Sequence, residues 1–107
     1  MELLPAVHVI DLKRGGRIGA HVDSVKFSGG LVAGLSLSSD AEMILRPYDE
    51  ERDAPVEGKE ARITLPRRSL YVMSGEARYA FTHEVSGELG GEPRARRISL
   101  MFRDTKL

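Results

Sequence analysis

The stretch from residue 18 to residue 24, I-G-A-H-V-D-S, places a histidine and an aspartate two residues apart. In a β-strand, residues i and i+2 point to the same face, so the imidazole of His21 and the carboxylate of Asp23 would stand side by side. Two imidazoles and one carboxylate on a single face can hold Fe(II) and leave other coordination positions open. The pair therefore predicts a metal site if the chain supplies a second histidine.

Two further histidines are present, His8 and His83. His83 lies in the aromatic stretch F-T-H-E, with 59 residues between it and Asp23. His8 lies on an apolar strand, where a packed or hydrogen-bonded imidazole is commoner than a metal ligand. We therefore expect His83 to complete the set. The residue types alone leave a second interpretation open, in which these side chains are ordinary surface or core residues.

The last predicted strand, residues 96–103, has one polar and one apolar face. Arg97 is the first residue of the polar face, and successive residues of the strand alternate between the polar and the apolar face. An arginine that faces a pocket is costly to bury unless an anion pairs with it. A dicarboxylate would be such a partner, held by the two-pronged guanidinium fork. The residues of the polar face are Arg97, Ser99, Met101 and Arg103, and those of the apolar face are Ile98, Leu100 and Phe102.

Eight short strands separated by turn signals account for most of the chain, at the spacing typical of a sandwich or barrel. We expect Pro47 to end the fourth strand, because proline cannot donate to a sheet ladder. Segment 48–60 is predicted to be an exposed loop, and segment 86–95 a glycine-rich loop. Arg94 and Arg96 are predicted to be solvated turn charges. No stretch shows a sustained helical period, so the predicted fold is all-β, a double-stranded β-helix (jelly roll). The predicted strands are 7–12, 17–23, 31–37, 42–46, 61–65, 69–73, 78–85 and 96–103.

Composition narrows the classes of function. The 107 residues allow one domain, 1–107, and 16 basic residues balance 16 acidic ones, so no global field favours nucleic acid or an anionic membrane. The absence of cysteine excludes disulfides, zinc–thiolate sites and iron–sulfur clusters. No apolar run is long enough to span a bilayer, and residues 1–7 lack the features of a signal or transit peptide.

The ordered residues His21-x-Asp23, His83 and Arg97-x-Ser99-x-x-x-Arg103 resemble the Fe(II)/2-oxoglutarate-dependent dioxygenases of the AlkB family. Further stretches are similar to the mitochondrial members, the seventh-homologue subfamily: V-H-V-I-D-L, H-V-D-S-V-K-F, A-G-L-S-L, S-L-Y-V-M-S-G-E-A-R-Y-A-F-T-H-E and R-R-I-S-L. The resemblance runs from about residue 5 to residue 103. It implies a jelly-roll core without the N-terminal helical region of the family, which fits a fragment, a trimmed gene model or a minimal form.

The same resemblance assigns roles within the site. Arg97 would pair with the distal carboxylate of 2-oxoglutarate, and the Tyr71 hydroxyl would donate to the same end. Arg103 would lie near the cosubstrate or the reacting group, with Ser99 beside it. The residues that would bind Fe(II) are His21, Asp23 and His83.

Two departures from the family pattern concern the cosubstrate. Ser99 and Met101 replace the asparagine and threonine of the family signature. Ile10 and Leu12 stand where bacterial AlkB has polar contacts to the cosubstrate. More of the binding of 2-oxoglutarate would therefore depend on Tyr71, Arg97 and Arg103.

The resemblance implies an enzyme that uses Fe(II), 2-oxoglutarate and O₂. It would couple oxidative decarboxylation of 2-oxoglutarate to hydroxylation or demethylation of a protein or RNA, in mitochondria. Nothing in the sequence signals DNA in particular. The alternative is a metal-binding jelly-roll interaction module without turnover, since a sheet without its packing helices exposes apolar surface. Consumption of 2-oxoglutarate distinguishes the two.

Overall fold

The computed structural model describes residues 7–26 and 28–104. All eight predicted strands are present in these ranges, and three additional strands of two residues lie in the predicted loops. The prediction of an all-β fold is therefore confirmed. The elements are β1 (His8–Leu12), β2 (Ile18–His21), β3 (Val32–Ser36), β4 (Ala41–Asp49), β5 (Ala54–Pro55), β6 (Ala61–Leu65), β7 (Ser69–Met73), α1 (Gly75–Tyr79), β8 (Phe81–Val85), β9 (Glu88–Leu89), β10 (Glu92–Pro93) and β11 (Arg97–Arg103).

Two antiparallel sheets form the jelly roll. The first has the strand order β1-β11-β3-β7. The second has the order β2-β8-β4-β5, with β6 also paired to β4, and β9 and β10 form a separate hairpin. Apolar side chains from both sheets meet in one cluster, which joins the sheets face to face. The buried members of the cluster are Val32, Met43, Leu65, Met73 and Met101, and the half-buried Ile10, Leu45 and Tyr71 pack against it.

The strand β11 has the two faces that its sequence predicts. Arg97, Ser99 and Met101 are buried, whereas the residues between them are only half-buried. Across the sheet, Ser99 pairs with Ser36 of β3 and Met101 pairs with Gly34. The polar inner face therefore extends from β11 onto β3, while the outer face carries apolar side chains. The exposed apolar residues of the outer strands β1 and β7 are Val9, Leu70 and Val72.

The prediction that Pro47 ends a strand was wrong, because β4 continues to Asp49. The backbone N and O of one residue point to the same side of a strand. The Pro47 carbonyl accepts from the amide of Val56 at 2.8 Å, on the side where β5 replaces β6 as the neighbour of β4. Proline is tolerated there because the missing N–H falls at a break in the ladder. The first part of segment 48–60 is consequently a strand and not a loop.

The predicted strand over residues 78–85 begins only at Phe81, since residues 75–79 form the single helical turn α1. One turn is too short to show a helical period in the sequence. The predicted loop 86–95 contains the β9–β10 hairpin, whose turn is Gly90-Gly91 with φ of 62° and 82°. Two consecutive positive φ angles explain why both residues are glycine. Within the described part of the chain, no helix is long and apolar enough to cross a bilayer.

Gly34 offers a test of how the first sheet packs. A Cβ atom at this position would collide with the ring of Tyr71, its cross-strand partner. We expect Gly34→Ala to lower the free energy of unfolding by about 1–3 kcal/mol, as is typical of overpacking. Chemical denaturation measures this.

Gly19→Ala is the matched control for that experiment, because a Cβ atom at Gly19 meets nothing within 4 Å. Alanine in a strand is favoured over glycine by roughly 0.5–1 kcal/mol, so this variant should be neutral or slightly stabilised. Equal stabilities for the two variants would show that Tyr71 does not lie over Gly34.

Candidate functional site

Two imidazoles and one carboxylate converge near one edge of the second sheet. His21, the last residue of β2, is the cross-strand partner of His83 on β8, and their ring centroids are 4.2 Å apart. The Nε2 atoms of His21 and His83 lie 3.2 and 3.4 Å from Oδ1 of Asp23. One possible ligand atom from each of the three residues lies within 4.8 Å of the others. The predicted trio is thus brought together.

Asp23 reaches this position by a different route from the predicted one. The strand β2 ends at His21, so the carboxylate is not placed by strand alternation. Its backbone carbonyl, and that of Ser24, accept hydrogen bonds from the buried Arg78 and not from a neighbouring strand. The prediction of a strand through residue 23 was wrong because these carbonyls have a side-chain donor.

The ring of His21 is oriented by its own strand. Its Nδ1 lies 2.8 Å from the carbonyl oxygen of Gly19. With the Nδ1–H donating to that carbonyl, Nε2 faces Asp23; its proton is hydrogen-bonded to the carboxylate in the metal-free protein, and its loss would leave Nε2 able to bind a metal. Two imidazole nitrogens and a carboxylate oxygen are a suitable donor set for Fe(II), and the three residues fit that ion.

The Asp23 carboxylate is buried and yet holds a negative charge. Burial would raise the pKa of Asp23, but hydrogen bonds from His21, His83 and Arg103 hold the pKa well below its usual range. Arg103 Nε donates to Oδ2 at 2.7 Å, and its Nη1 lies 2.9 Å from Nδ1 of the exposed His8. The second carboxylate oxygen is therefore occupied by Arg103, while Oδ1 faces the two imidazoles.

Arg97 carries a buried positive charge that is incompletely satisfied. Only 1% of its surface is exposed. Its Nε donates to Ser36 Oγ at 3.1 Å and its Nη1 to Ser99 Oγ at 3.3 Å. No partner for its Nη2, and no carboxylate paired with it, is found among the described residues. Burial lowers the pKa of Arg97, and the interaction with Tyr71 partly opposes this shift. A bound anion would stabilise the buried guanidinium.

A cavity of about 50 Å³ connects the buried arginine with the histidine–aspartate cluster. The hydroxyl of Tyr71 lies at this cavity, 3.5 Å from the sulfur of Met101. Burial raises the pKa of Tyr71, so its hydroxyl keeps the proton and can donate. Of the predicted site residues, six line the cavity and Ser99 lies behind Arg97 as its acceptor. The cavity is lined by Ile10, Ile18, His21, Asp23, Tyr71, His83, Val85, Arg97, Met101 and Arg103.

Sequence reasoning missed several residues that support the site. Ser36, the acceptor for Arg97, is a polar residue in an otherwise apolar strand, a signal that could have been used. Arg94 was expected to be a solvated turn charge, but it is 1% exposed and donates to backbone carbonyls. Arg96, for which a solvated turn charge is also predicted, is exposed and pairs with Asp11 at the surface.

The hydrogen bond to Asp23 raises the pKa of His21 above its ordinary value of 6.5, with partial burial opposing. In the metal-free protein this pair stabilises the fold fully below pH 6.5 and is lost as the pH rises through the folded-state pKa. We expect Asp23→Asn to lower the pKa of His21, which NMR titration of the metal-free protein would measure. Asp11→Asn, which breaks a surface pair, is the control. An unchanged His21 titration in Asp23→Asn would contradict this account.

Comparison with known proteins places this geometry in a family. Residues 9–103 match the model of the 2OG-Fe(II) oxygenase superfamily. The chain is 43% identical over 107 residues to the bovine protein "Alpha-ketoglutarate-dependent dioxygenase alkB homolog 7, mitochondrial", and 44% identical over 108 residues to its mouse counterpart. These alignments cover 94% and 95% of this chain. They cover 46% of each relative, so the chain spans about half the length of these proteins.

Two further similarities are more distant. The mimivirus protein "Uncharacterized protein L905" is 32% identical over 102 residues, covering 90% of this chain and 46% of that protein. The solved structure of OsALKBH1 superimposes with a TM-score of 0.69 at 21% identity, over 92% of this chain and 47% of that one. This last likeness supports the jelly-roll fold. The chain, with its two histidines, aspartate and buried arginine around one cavity, belongs to the 2OG-Fe(II) oxygenase superfamily and is similar to its AlkB homologues.

Proposed function

We propose that this chain is the catalytic core of an Fe(II)/2-oxoglutarate-dependent dioxygenase of the AlkB type. The observation that carries the proposal is the unpartnered Nη2 of Arg97, which is buried at the same cavity as the histidine–aspartate cluster. A metal site alone would not require a buried, unpaired cation beside it. A cosubstrate that binds the metal at one end and carries a carboxylate at the other accounts for both features.

In this proposal, His21, Asp23 and His83 bind Fe(II). When bound, Fe(II) with 2-oxoglutarate and O₂ supplies the oxidising power, and 2-oxoglutarate is converted to succinate and CO₂. These residues would supply three ligand atoms, and the cosubstrate and O₂ would supply the remaining ligands. The Gly19 carbonyl fixes the ring of His21, and Arg103 fixes the carboxylate of Asp23.

The cosubstrate carboxylate farthest from the metal would bind Arg97. Ser36 and Ser99 accept from Nε and Nη1 and so hold the guanidinium in one orientation. The unpartnered Nη2 would then be available to donate to the anion, and the protonated hydroxyl of Tyr71 would be a second donor at the same cavity. Because this cavity is narrow and partly apolar, bound cosubstrate would exclude water from the arginine and strengthen the pairing.

Arg103 has a different principal role in this proposal from the one that the resemblance implies. Its Nε is engaged with Asp23, so it first keeps the metal ligand ionised and directs Oδ1 towards the histidines. Since Arg103 also lines the cavity, contact with the cosubstrate or the reacting group stays a prediction.

The prime substrate would be a protein side chain or a methylated RNA base. The formal net charge of zero and an aromatic content of 6% supply little for strong nucleic-acid binding by this segment alone. A mitochondrial location is proposed on the similarity to the bovine and mouse proteins, whose names carry that location.

His83→Ala tests the metal site. Loss of one of three ligands should weaken Fe(II) binding by more than tenfold and abolish the formation of succinate from 2-oxoglutarate under air with Fe(II) and ascorbate. Anaerobic Fe(II) titration and succinate quantification are the two measurements. A variant that retains the metal affinity of the unaltered chain would contradict the proposed ligand set.

Arg97→Ala tests the cosubstrate site separately. It should lose succinate formation and bind 2-oxoglutarate at least about tenfold more weakly, because a hydrogen bond to a charged group contributes about 1.5–3 kcal/mol. Calorimetry of 2-oxoglutarate binding to the metal-loaded protein measures the affinity.

His83→Ala and Arg97→Ala should differ in metal affinity, because only His83→Ala removes a proposed metal ligand. Arg97→Ala is expected to bind Fe(II) as tightly as the unaltered chain. If the unaltered chain binds metal but neither binds nor consumes 2-oxoglutarate, the dioxygenase proposal fails. The metal-binding interaction module would then be the better description.

A further inference from the structure

Arg78 is a buried arginine that the proposed chemistry does not use. It lies in α1, and 2% of its surface is exposed. Its Nη1 donates to the carbonyl oxygen of Asp23 at 2.8 Å, and its Nε donates to that of Gly29 at 3.1 Å. Its Nη2 donates to the carbonyl oxygen of Ser24 at 3.2 Å and lies 3.5 Å from that of Ser28. One guanidinium therefore contacts both ends of the segment that carries Asp23.

The charge of Arg78 is stabilised by dipoles and not by an anion. No ion pair of Arg78 is found within the described ranges. Its Cζ lies 4.7 Å from the centroid of the Tyr79 ring, which adds a cation–π contact to the four carbonyl oxygens. A planar group with five N–H donors can meet several carbonyls at once, which a lysine ammonium on a flexible stem cannot match. The contacts therefore require an arginine.

The position of Asp23 depends on contacts of this kind because it lies beyond the end of β2, outside the ladder with β8. The amide of Ser28 donates to Ser24 at 3.1 Å, which closes the segment on itself. The amide of Gly29 donates to the backbone carbonyl oxygen of Asp104 at 3.0 Å. This bond attaches the far end of the segment to the residue that follows β11. Arg78 adds the connection from Asp23 itself to α1.

We propose that Arg78 is a positioning residue for the metal site. It fixes the backbone of Asp23 from α1, while Arg103 fixes the carboxylate of the same residue. Since α1 leads directly into β8, Arg78 also connects the segment of Asp23 to the strand that carries His83. This inference rests on the metal-binding part of the proposed function.

Arg78→Lys tests the inference with Co(II) alone as the probe, without 2-oxoglutarate. Removal of groups that orient metal ligands typically costs 10–100-fold in metal affinity, so we expect Co(II) to bind about 10–100-fold more weakly. The ligand-field spectrum of the bound Co(II) should also change, because Asp23 no longer holds one position. A loss of packing elsewhere would not alter that spectrum.

Arg94→Lys is the matched control. Arg94 is 1% exposed and likewise donates to backbone carbonyls, those of Gly16, Ser86 and Ala95. Those contacts are in other loops, so this variant should lose thermal stability to a similar degree while its Co(II) affinity and spectrum stay unchanged. Equal Co(II) binding by Arg78→Lys and the unaltered chain, or an equal loss in both variants, would overturn the inference.

A measurement on the unaltered chain keeps the test valid if Arg78→Lys does not fold. Coupling between two binding events is reciprocal, so if Arg78 strengthens metal binding, metal binding must strengthen the contacts of Arg78 by the same factor. Zn(II) should therefore slow hydrogen exchange of the Arg78 Nε–H about tenfold or more, and leave that of Arg94 unchanged.

The outcomes of these experiments separate the inference from the proposed function. Unchanged exchange at Arg78 when Zn(II) is bound would overturn the positioning role and leave the metal site in place. Failure of the unaltered chain to bind any of Fe(II), Co(II) or Zn(II) would overturn both.

Discussion

A buried carboxylate holds the site together. Asp23 is 6% exposed, and it stays ionised because two imidazoles and Arg103 surround it with donors. A carboxylate in an apolar site without such partners would take up a proton and lose its negative charge. Three strands meet this requirement, since β2, β8 and β11 each contribute one of the side chains that contact the Asp23 carboxylate.

Three arginines are almost fully buried within the described ranges, and they differ in how their charge is satisfied. Arg78 and Arg94 donate to backbone carbonyls, and their guanidinium nitrogens have partners. Arg97 donates to two serine hydroxyls and interacts with the Tyr71 hydroxyl, and its Nη2 has no partner. The first two arrangements are complete without a ligand, so they indicate structural roles. The third is incomplete, and a buried donor without a partner costs about 1–3 kcal/mol, more when charged, until an anion binds.

Polar side chains share the interior of the described chain with an apolar cluster. The two sheets enclose one methionine-rich apolar cluster on one side and the cavity on the other, with Met101 and Tyr71 between them. Gly34 allows the Tyr71 ring to lie directly over β3, which brings its hydroxyl to the cavity. Packing and function therefore compete for the same few inward positions on β3 and β11. The apolar residues of the outer face remain exposed in this chain.

The order of residues in the sequence determined the elements and the chemistry that they could carry. Alternation along β11 separated Arg97, Ser99 and Met101 from the apolar face, because strand geometry is local and has a period of two. The residue types of His21, Asp23 and His83 indicated a metal, and the ordered motif indicated the family. Loop glycines and prolines marked most strand ends, with Pro47 as the exception.

Only the tertiary structure decided which groups meet. The sheet register brings His21 opposite His83, and a helical turn too short to leave a pattern places Arg78 against the Asp23 backbone. Whether an arginine is solvated or buried also depends on contacts distant in sequence. The sequence alone therefore could not show that Arg94 is buried and Arg96 is not. Local periodicity reveals faces, whereas charge burial is a property of the assembled fold. The unpaired nitrogen of Arg97 is visible only when both sheets are in place.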